Sequence, residues 1–155
     1  MTSLIILCGI PGSGKTTISE QLSAQYNAKL YHYDEFVKQF TYADMGKTHS
    51  YLYKTVASDL LDNHNVVIDD LYTKLEWRRE LLDALKDVPC TKILVVVNTP
   101  LEECLRRNAK RSGSARLPDS IIEHLYKTYE PPNLDEGWDK IIDHLSNPGV
   151  VFLYI

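Results

Sequence analysis

The sequence has 155 residues, enough for one domain with a hydrophobic core and too few for two ordinary domains. Its 44% hydrophobic and 25% charged residues are typical of a soluble globular protein, and no apolar run approaches the roughly 20 residues of a membrane helix. A formal net charge of −4 excludes a protein that coats nucleic acid with its whole surface. We therefore expect a single domain over residues 1–155.

The N-terminal segment and the cysteines indicate where the protein works. The first apolar run is short and has no basic flank, so it is not a signal peptide. Cys8, Cys90 and Cys104 are too scattered for a disulfide framework or a zinc site, and we interpret them as packing residues. These features predict a cytoplasmic protein without a membrane partner.

A glycine-rich stretch lies between the first predicted strand, residues 4–7, and the first predicted helix, residues 17–25. It fits the phosphate-loop pattern G-x-x-x-x-G-K-[ST]. In such a loop the backbone N–H groups face phosphate oxygens, the lysine reaches the β- and γ-phosphates, and the threonine hydroxyl ligates Mg²⁺. We predict binding of ATP and Mg²⁺, with Thr16 as the metal ligand. The predicted nucleotide-binding residues here are Gly9, Pro11, Gly12, Ser13, Gly14, Lys15, Thr16 and Thr17.

Strands and helices alternate along the rest of the chain. Further strands are predicted at residues 29–33, 65–68, 92–97 and 150–154. Helices are predicted at residues 51–63, 75–85, 100–110 and 118–129, with a short one after residue 34, a loop at 41–50 and irregular structure at 130–148. This order predicts an α/β fold in which a parallel sheet of about five strands carries helices on both faces. Together with the phosphate loop after the first strand, it leads us to expect a P-loop NTPase or kinase fold.

Acidic residues follow the second and third predicted strands. Because ligands of parallel α/β folds bind outside the carboxyl ends of the strands, we expect Asp34, Asp69 and Asp70 to meet the phosphate loop at one rim. Asp34 is the candidate general base for an acceptor hydroxyl, with a helix cap as the alternative. Asp69 or Asp70 would hold Mg²⁺ through water or position the acceptor, and the sequence leaves open which of the two is functional.

A basic run without acidic residues occupies residues 105–116. Arg107 and Arg111 are four residues apart on a predicted helix, so they share one face, and the small residues 112–115 after them can act as a hinge. We interpret residues from about 106 to 117 as a lid that brings both arginines to the β,γ-phosphates. A solvated helix face is the alternative.

Four stretches together resemble the kinase domain of polynucleotide 5′-hydroxyl kinases. They are residues 9–17, 33–36, 107–111 and 129–138, in the expected order and over nearly the whole chain. The resemblance implies that Asp34 is the general base and that Arg111 is the lid arginine on the transferring phosphate. It also implies that Asp69, Asp70 and Arg78 lie in the acceptor region. Related families phosphorylate the seryl group on a tRNA, sugar nucleotides or small alcohols.

The chain departs from this family on the acceptor side. Some members hold a nucleic-acid phosphate with an arginine three residues after the catalytic acid, where this chain has Val37 followed by Lys38. Others place a Thr-Asn pair after the acid of the third strand, where this chain has Leu71 and Tyr72. Lys38 and Arg78 are therefore the candidates for binding an acceptor phosphate.

The sequence thus predicts an ATP- and Mg²⁺-dependent kinase with Lys15, Asp34 and Arg111 as catalytic residues. A 5′-OH end of DNA or RNA is the first candidate acceptor. The alternatives are a kinase of a small metabolite or sugar nucleotide and an ATP-binding regulatory module without catalysis. GTPases are disfavoured because their D-x-x-G and N-K-x-D elements do not occur. The sequence leaves the oligomeric state open.

Overall fold

The computed structural model describes residues 1–144 and has a parallel five-stranded sheet at its centre, in the order β2-β3-β1-β4-β5. The strands are Ser3–Cys8 (β1), Lys29–His32 (β2), Val66–Asp69 (β3), Thr91–Val97 (β4) and Lys140–His144 (β5). Every pair of neighbouring strands is parallel. The predicted parallel sheet of about five strands is confirmed.

The connections between the strands are helical. The α-helices are Lys15–Gln25 (α1), Tyr33–Phe36 (α2), Thr48–Leu61 (α3), Leu75–Ala84 (α4), Leu101–Ala109 (α5) and Asp119–Lys127 (α6). Short 3₁₀ helices occupy Val37–Gln39, Tyr42–Lys47, Gly113–Ala115 and Leu134–Glu136. Within residues 1–144, no helix is long and apolar enough to cross a membrane.

The central strand β1 is buried on both faces, because alternate side chains of a strand point to opposite sides of the sheet. Leu4 and Ile6 pack on one side with the apolar residues of α3 and α4. Ile5 and Leu7 pack on the other side with those of α1. The continuous apolar run of β1 therefore follows from its position between two layers of helices.

Two sequence predictions about local structure are wrong. Residues 41–50 are not a loop, because a 3₁₀ helix covers Tyr42–Lys47 and α3 begins at Thr48. Residues 130–148 are not irregular throughout, because β5 occupies Lys140–His144 at the edge of the sheet. Exposed Lys140 and Asp143 interrupt the apolar pattern there, as edge strands often do. The strand predicted at residues 150–154 lies outside the described residues.

The order of the strands determines where a ligand can enter. The chain runs from β1 to β2 and β3 on one side of the sheet and then to β4 and β5 on the other. Such a reversal leaves a crevice at the carboxyl end of the central strand. The segments that follow β1, β2 and β3 therefore meet at one edge, where we describe the candidate site.

Candidate functional site

An open cleft of about 1090 Å³ lies at the carboxyl ends of β1, β2 and β3. The phosphate loop forms one wall, the residues after β2 and β3 form the other, and the segment after α5 lies along the rim. The predicted site residues that line it are Pro11, Gly12, Ser13, Gly14, Lys15, Thr16, Thr17, Asp34, Lys38, Asp69, Asp70, Arg107 and Arg111. The fold thus brings together groups that are far apart in sequence.

Glycines are required in the phosphate loop at defined positions. Gly12 and Gly14 have φ values of 84° and 99°, a region that side chains other than glycine rarely adopt. A Cβ atom on Gly12 would also lie 2.6 Å from the carbonyl oxygen of Cys104 in α5. The N–H of Gly9 donates to the carbonyl oxygen of Leu71 at 2.9 Å, which fastens the loop to the segment after β3.

Lys15 lies over the loop that precedes it. Its Nζ donates to the carbonyl oxygen of Ile10 at 3.0 Å, and the side chain is buried. Burial lowers the pKa of Lys15, while the carboxylates of Asp69 and Asp70 oppose that shift. A partly desolvated cation of this kind is stabilised by an anionic ligand, as a phosphate chain would be.

Asp69 connects the phosphate loop to β2. Its Oδ2 accepts a hydrogen bond from Thr16 Oγ1 at 3.0 Å and another from His32 Nδ1 at 2.7 Å. His32 was not predicted as a site residue, because the contact arises from strand pairing in which His32 lies beside Asp69 in the register of β2 and β3. A predicted pairing of these strands would have been the signal for it.

The oxygen atoms of Thr16 and Asp69 fit Mg²⁺, which prefers hard oxygen ligands. Among the described residues, no group of three or more His, Cys, Asp and Glu side chains is arranged to hold a metal by itself. Mg²⁺ in phosphoryl-transfer sites is commonly bound by one or two protein oxygens together with water and substrate phosphates.

Asp70 lines the same cleft but has its hydrogen bonds on the α3 side. Its Oδ2 accepts a hydrogen bond from His49 Nε2 of α3 at 2.9 Å, and its Oδ1 accepts one from the N–H of Leu71 at 2.8 Å. The structure therefore separates the adjacent acids, since Asp69 contacts the loop side of the cleft and Asp70 contacts the α3 side.

Asp34 and Lys38 lie on the wall opposite the phosphate loop. Asp34 is exposed in the first turn of α2 and lines the cleft. Lys38 also lines it, but its Nζ is paired with Glu35 Oε1 at 2.9 Å, and both side chains are exposed. The acidic charges on this wall therefore outnumber its one lysine.

The two predicted lid arginines differ in their contacts. Arg107 Nη1 donates to the carbonyl oxygen of Gly12 at 3.2 Å, and its Nε donates to Glu103 Oε1 at 3.0 Å. Hydrogen bonds from Arg106 and Arg107 lower the pKa of Glu103 to about 2. Arg111 lies beyond the end of α5 rather than on it, and it lines the cleft. Arg107 is thus attached to the loop, whereas Arg111 extends from the segment after the helix.

Asn108 fixes the segment that carries Arg111. Its buried amide accepts a hydrogen bond from the N–H of Leu117 at 3.0 Å and donates to the carbonyl oxygen of Leu117 at 2.7 Å. A weaker contact of 3.4 Å reaches Asp119 Oδ1 at the start of α6. These bonds join the two ends of the 109–116 segment.

The prediction that Arg78 binds an acceptor phosphate is wrong. Arg78 is 0% exposed, and its Nε and Nη2 donate to the two carboxylate oxygens of Glu136 at 2.8 and 3.0 Å. Its Nη1 donates to the carbonyl oxygen of Tyr72 at 2.9 Å. The sequence contained a signal for this burial, because Arg78 is spaced three residues from both Leu75 and Leu81 on the apolar face of α4.

Tyr72, two residues after Asp70, has an unusual backbone. Its φ of 48° lies in the left-handed region, which asparagine adopts more readily than tyrosine. The side chain is buried, and its hydroxyl is hydrogen-bonded to that of Tyr53 at 2.8 Å. The contacts of this buried ring and of its carbonyl group offset the backbone strain.

The parallel sheet and the phosphate loop after its central strand define a P-loop protein of the kinase-like, ATP-binding class. The chain belongs to the family described as chromatin associated protein KTI12, whose sequence model matches residues 1–145. The predicted P-loop kinase class is thereby confirmed, whereas the narrower resemblance to polynucleotide kinases stays a prediction.

Individual relatives agree with this class. L-seryl-tRNA(Sec) kinase of Methanococcus maripaludis is 24% identical over 155 residues, which cover 88% of this chain and 56% of that protein. Protein kti12 of Schizosaccharomyces pombe is 26% identical over 154 residues, or 88% and 54% of the two chains. Kti12 of Chaetomium thermophilum in complex with ADP-AlF3 has a TM-score of 0.72 at 22% identity, over 93% of this chain and 89% of that one. The chain spans about half the length of the two curated relatives.

Proposed function

We propose that this chain transfers the γ-phosphoryl group of ATP to a hydroxyl group, with Mg²⁺ as cofactor and a 5′-OH end of DNA or RNA as acceptor. The observation that carries the proposal is that the phosphate loop, Asp69, Asp34 and Arg111 line one cleft. The relatives support nucleotide binding and, in the coarser sense, phosphoryl transfer to a hydroxyl group. One is a Kti12 solved with ADP-AlF3, and another is a kinase named for an aminoacyl-tRNA substrate.

On the donor side, the N–H groups of the loop and the ammonium of Lys15 bind the β- and γ-phosphates. Arg107, held against Gly12, fixes the side of the loop, and Arg111 supplies a guanidinium group to the charge that develops on the transferring phosphoryl. These groups bind and orient the phosphate chain of ATP. On the donor side they therefore act by positioning the phosphates and by stabilising the charge of the transition state.

Thr16 and Asp69 are the residues that would hold Mg²⁺. When bound there, the ion neutralises negative charge on the β- and γ-phosphates. The hydrogen bond from His32 to the same oxygen of Asp69 that Thr16 contacts orients this carboxylate, as residues next to a metal ligand commonly do.

On the acceptor side, the exposed carboxylate of Asp34 takes the proton of the attacking hydroxyl. Its position in the first turn of α2 leaves it accessible to an acceptor that enters the cleft. The phosphoryl group then forms a bond to the acceptor oxygen, while its bond to the β-phosphate oxygen breaks and ADP leaves.

A second candidate acceptor is a small hydroxyl compound without a phosphate. Two observations favour it, because Arg78 is buried in an ion pair and Lys38 is paired with Glu35. The wall around Asp34 therefore offers less positive charge to a nucleic-acid backbone than the sequence predicted.

The experiment is a transfer assay with γ-labelled ATP against 5′-OH DNA and RNA oligonucleotides, the same oligonucleotides with 5′-phosphates, and a panel of small alcohols. We expect label on the 5′-OH ends and none on the blocked ends. Label on a small alcohol alone would contradict the polynucleotide acceptor and favour the small hydroxyl compound. Nucleotide binding without transfer to any acceptor would contradict the kinase proposal and favour a regulatory module.

A further inference from the structure

The wall opposite the phosphate loop contains an aromatic ring that is held in a fixed orientation. The ring of Tyr33 stacks on the imidazole of His49, with centroids 4.0 Å apart and planes inclined by 15°. Tyr33 lines the cleft, and His49 does not. One face of the tyrosine ring is therefore covered by the histidine, and the half-buried side chain still borders the cleft.

Each member of this stack is fixed by a further polar contact. The hydroxyl of Tyr33 is hydrogen-bonded to the buried Thr48 Oγ1 at 2.5 Å, and His49 Nε2 donates to Asp70 Oδ2 at 2.9 Å. Tyr33 also packs on its inner side against the core that α3 and the sheet enclose. An aromatic ring restrained in this way loses little conformational entropy when a second ring stacks on it.

The position of this ring relates it to the acceptor rather than to ATP. Tyr33 directly precedes Asp34, the candidate base, on the wall that faces the phosphate loop. Of the two cations that were predicted to hold acceptor phosphates, Arg78 is buried and does not line the cleft, and Lys38 lines it but is paired with Glu35. Recognition on this wall must therefore depend more on shape and stacking than on charge.

We propose that Tyr33 is the stacking surface for the base of the acceptor's terminal nucleoside, whose 5′-OH then lies next to Asp34. This inference rests on the proposed function, because it names the substrate group that the acceptor wall recognises. Tyr33 is a specificity-determining residue in this scheme. Stacking accepts all four bases, because each base presents a π face, so the sequence of the end has little influence.

The test compares a 5′-OH oligonucleotide with one whose 5′-terminal sugar carries no base. The two keep the same hydroxyl and the same backbone phosphates, and equilibrium binding is measured with an ATP analogue that cannot transfer its phosphate. Base stacking contributes about fivefold to one-hundredfold in affinity, and we expect the wild type to prefer the normal end by a factor in that range. Equal affinity for both ends would overturn the proposal.

The enzyme side of the test uses Tyr33→Leu and Tyr33→Phe. The leucine variant should bind both ends equally and weakly, and the phenylalanine variant should keep the preference because it keeps the ring. Tyr42→Leu is the matched control, since Tyr42 is 94% exposed and does not line the cleft. A preference that survives Tyr33→Leu would overturn the proposal.

A measurement on the unmodified protein covers the case in which the leucine variant does not fold. An oligonucleotide with 5-iodouracil at its 5′ end should crosslink to Tyr33 on irradiation, and attachment to another segment would contradict the stacking model. Because binding needs no transfer, the two proposals fail separately. A Tyr33-dependent preference without phosphoryl transfer would contradict the kinase proposal alone. Phosphoryl transfer without that preference would contradict the stacking proposal alone.

Discussion

At the scale of single residues, the proposed function gives Lys15 the most direct role in holding the phosphates. Lys15→Ala should reduce phosphoryl transfer below detection, because it removes a buried cation from the charge that develops in the transition state. Thr16→Ala should act similarly through the metal. The measurement is the initial rate with labelled ATP, with Lys86→Ala, an exposed lysine outside the cleft, as control. Near-normal turnover of Lys15→Ala would contradict the role of the loop.

Asp34 is tested by separating binding from chemistry. Asp34→Asn keeps the shape of the exposed side chain and removes the base, so the transfer rate should fall by about 10²–10⁴-fold while the affinity for ATP stays unchanged. Calorimetric titration measures the affinity for ATP, and single-turnover kinetics measure the transfer rate. Asp62→Asn, an exposed acid at the end of α3, is the control. Loss of ATP binding would indicate a structural role for Asp34.

The positions of single residues could be predicted from the sequence where a local motif determines the backbone geometry. The loop motif alone placed Lys15 and Thr16 at the cleft, because its glycine spacing determines the path of the backbone. His32 was missed because its contact with Asp69 exists only across two strands. The position of Arg78 was predicted wrongly because a charged residue on an apolar helix face can be buried only with a partner. Its partner, Glu136, lies 58 residues away along the chain, so the sequence did not reveal the pair.

At the scale of elements, the Asn108 amide controls the segment between α5 and α6. Asn108→Ala removes both hydrogen bonds to Leu117, so the amide hydrogen of Leu117 should exchange about tenfold to one-hundredfold faster. Transfer should slow more than ATP binding weakens, because Arg111 is no longer held at the cleft. Hydrogen exchange and kinetics are measured together, with exposed Asn98→Ala as control. Unchanged exchange at Leu117 would show that the amide does not hold the segment.

The buried pair of Arg78 and Glu136 joins α4 to the segment before β5. Arg78→Met should lower the free energy of unfolding by about 3–5 kcal/mol, because it leaves the Glu136 carboxylate buried without its partner. The exposed Arg79→Met should cost far less. Urea unfolding at pH 7 measures both, and a small effect of Arg78→Met would mean that water reaches Glu136.

The same pair predicts a dependence on pH. Burial alone would raise the pKa of Glu136, but hydrogen bonds from Arg78 and Trp138 hold it below the usual value of 4.5. A carboxylate with a lowered folded pKa stabilises the protein fully above about pH 4.5 and loses that contribution as the pH falls through the folded pKa. The difference in unfolding free energy between wild type and Arg78→Met should therefore shrink in acid. A constant difference between pH 7 and pH 3 would contradict this.

Elements with a strong hydrophobic pattern in the sequence were predicted well, and elements without such a pattern were not. β1 and β4 are continuous apolar runs because both of their faces are covered, so their positions were evident. β5 has only two apolar residues, Ile141 and Ile142, between the exposed Lys140 and Asp143, which conceals it in an irregular stretch. The 3₁₀ helix at Tyr42–Lys47 has no buried residue and hence no apolar pattern to detect.

At the scale of the whole molecule, the distribution of charge limits how the protein can hold a nucleic acid. The chain has a net charge of −4, and on the acceptor wall Lys38 is the cation that lines the cleft. Raising the salt concentration fourfold should therefore increase the KM for a 5′-OH oligonucleotide by only about threefold, as expected for one phosphate contact. Lys38→Ala should remove this dependence. A much steeper dependence would indicate a basic surface elsewhere.

The overall architecture was predictable because alternating strands and helices permit few topologies. The convergence of the phosphate loop with Asp34, Asp69 and Asp70 follows from that architecture alone, since the carboxyl ends of parallel strands share one edge. The acceptor side was less predictable, because its features depend on side-chain pairs such as Tyr33 with His49. Such pairs depend on how α2 and α3 pack together, which sequence spacing does not encode.

The bond between the Gly9 N–H and the Leu71 carbonyl has a consequence for how such a protein can diverge. It joins the phosphate loop to the segment after β3 through backbone atoms alone, so the side chain at position 71 is not needed for it. The side chain at position 71, which lines the cleft, can therefore be exchanged without removing this attachment of the loop. In evolutionary terms, this position of the cleft can change while the backbone bond to the phosphate loop is retained.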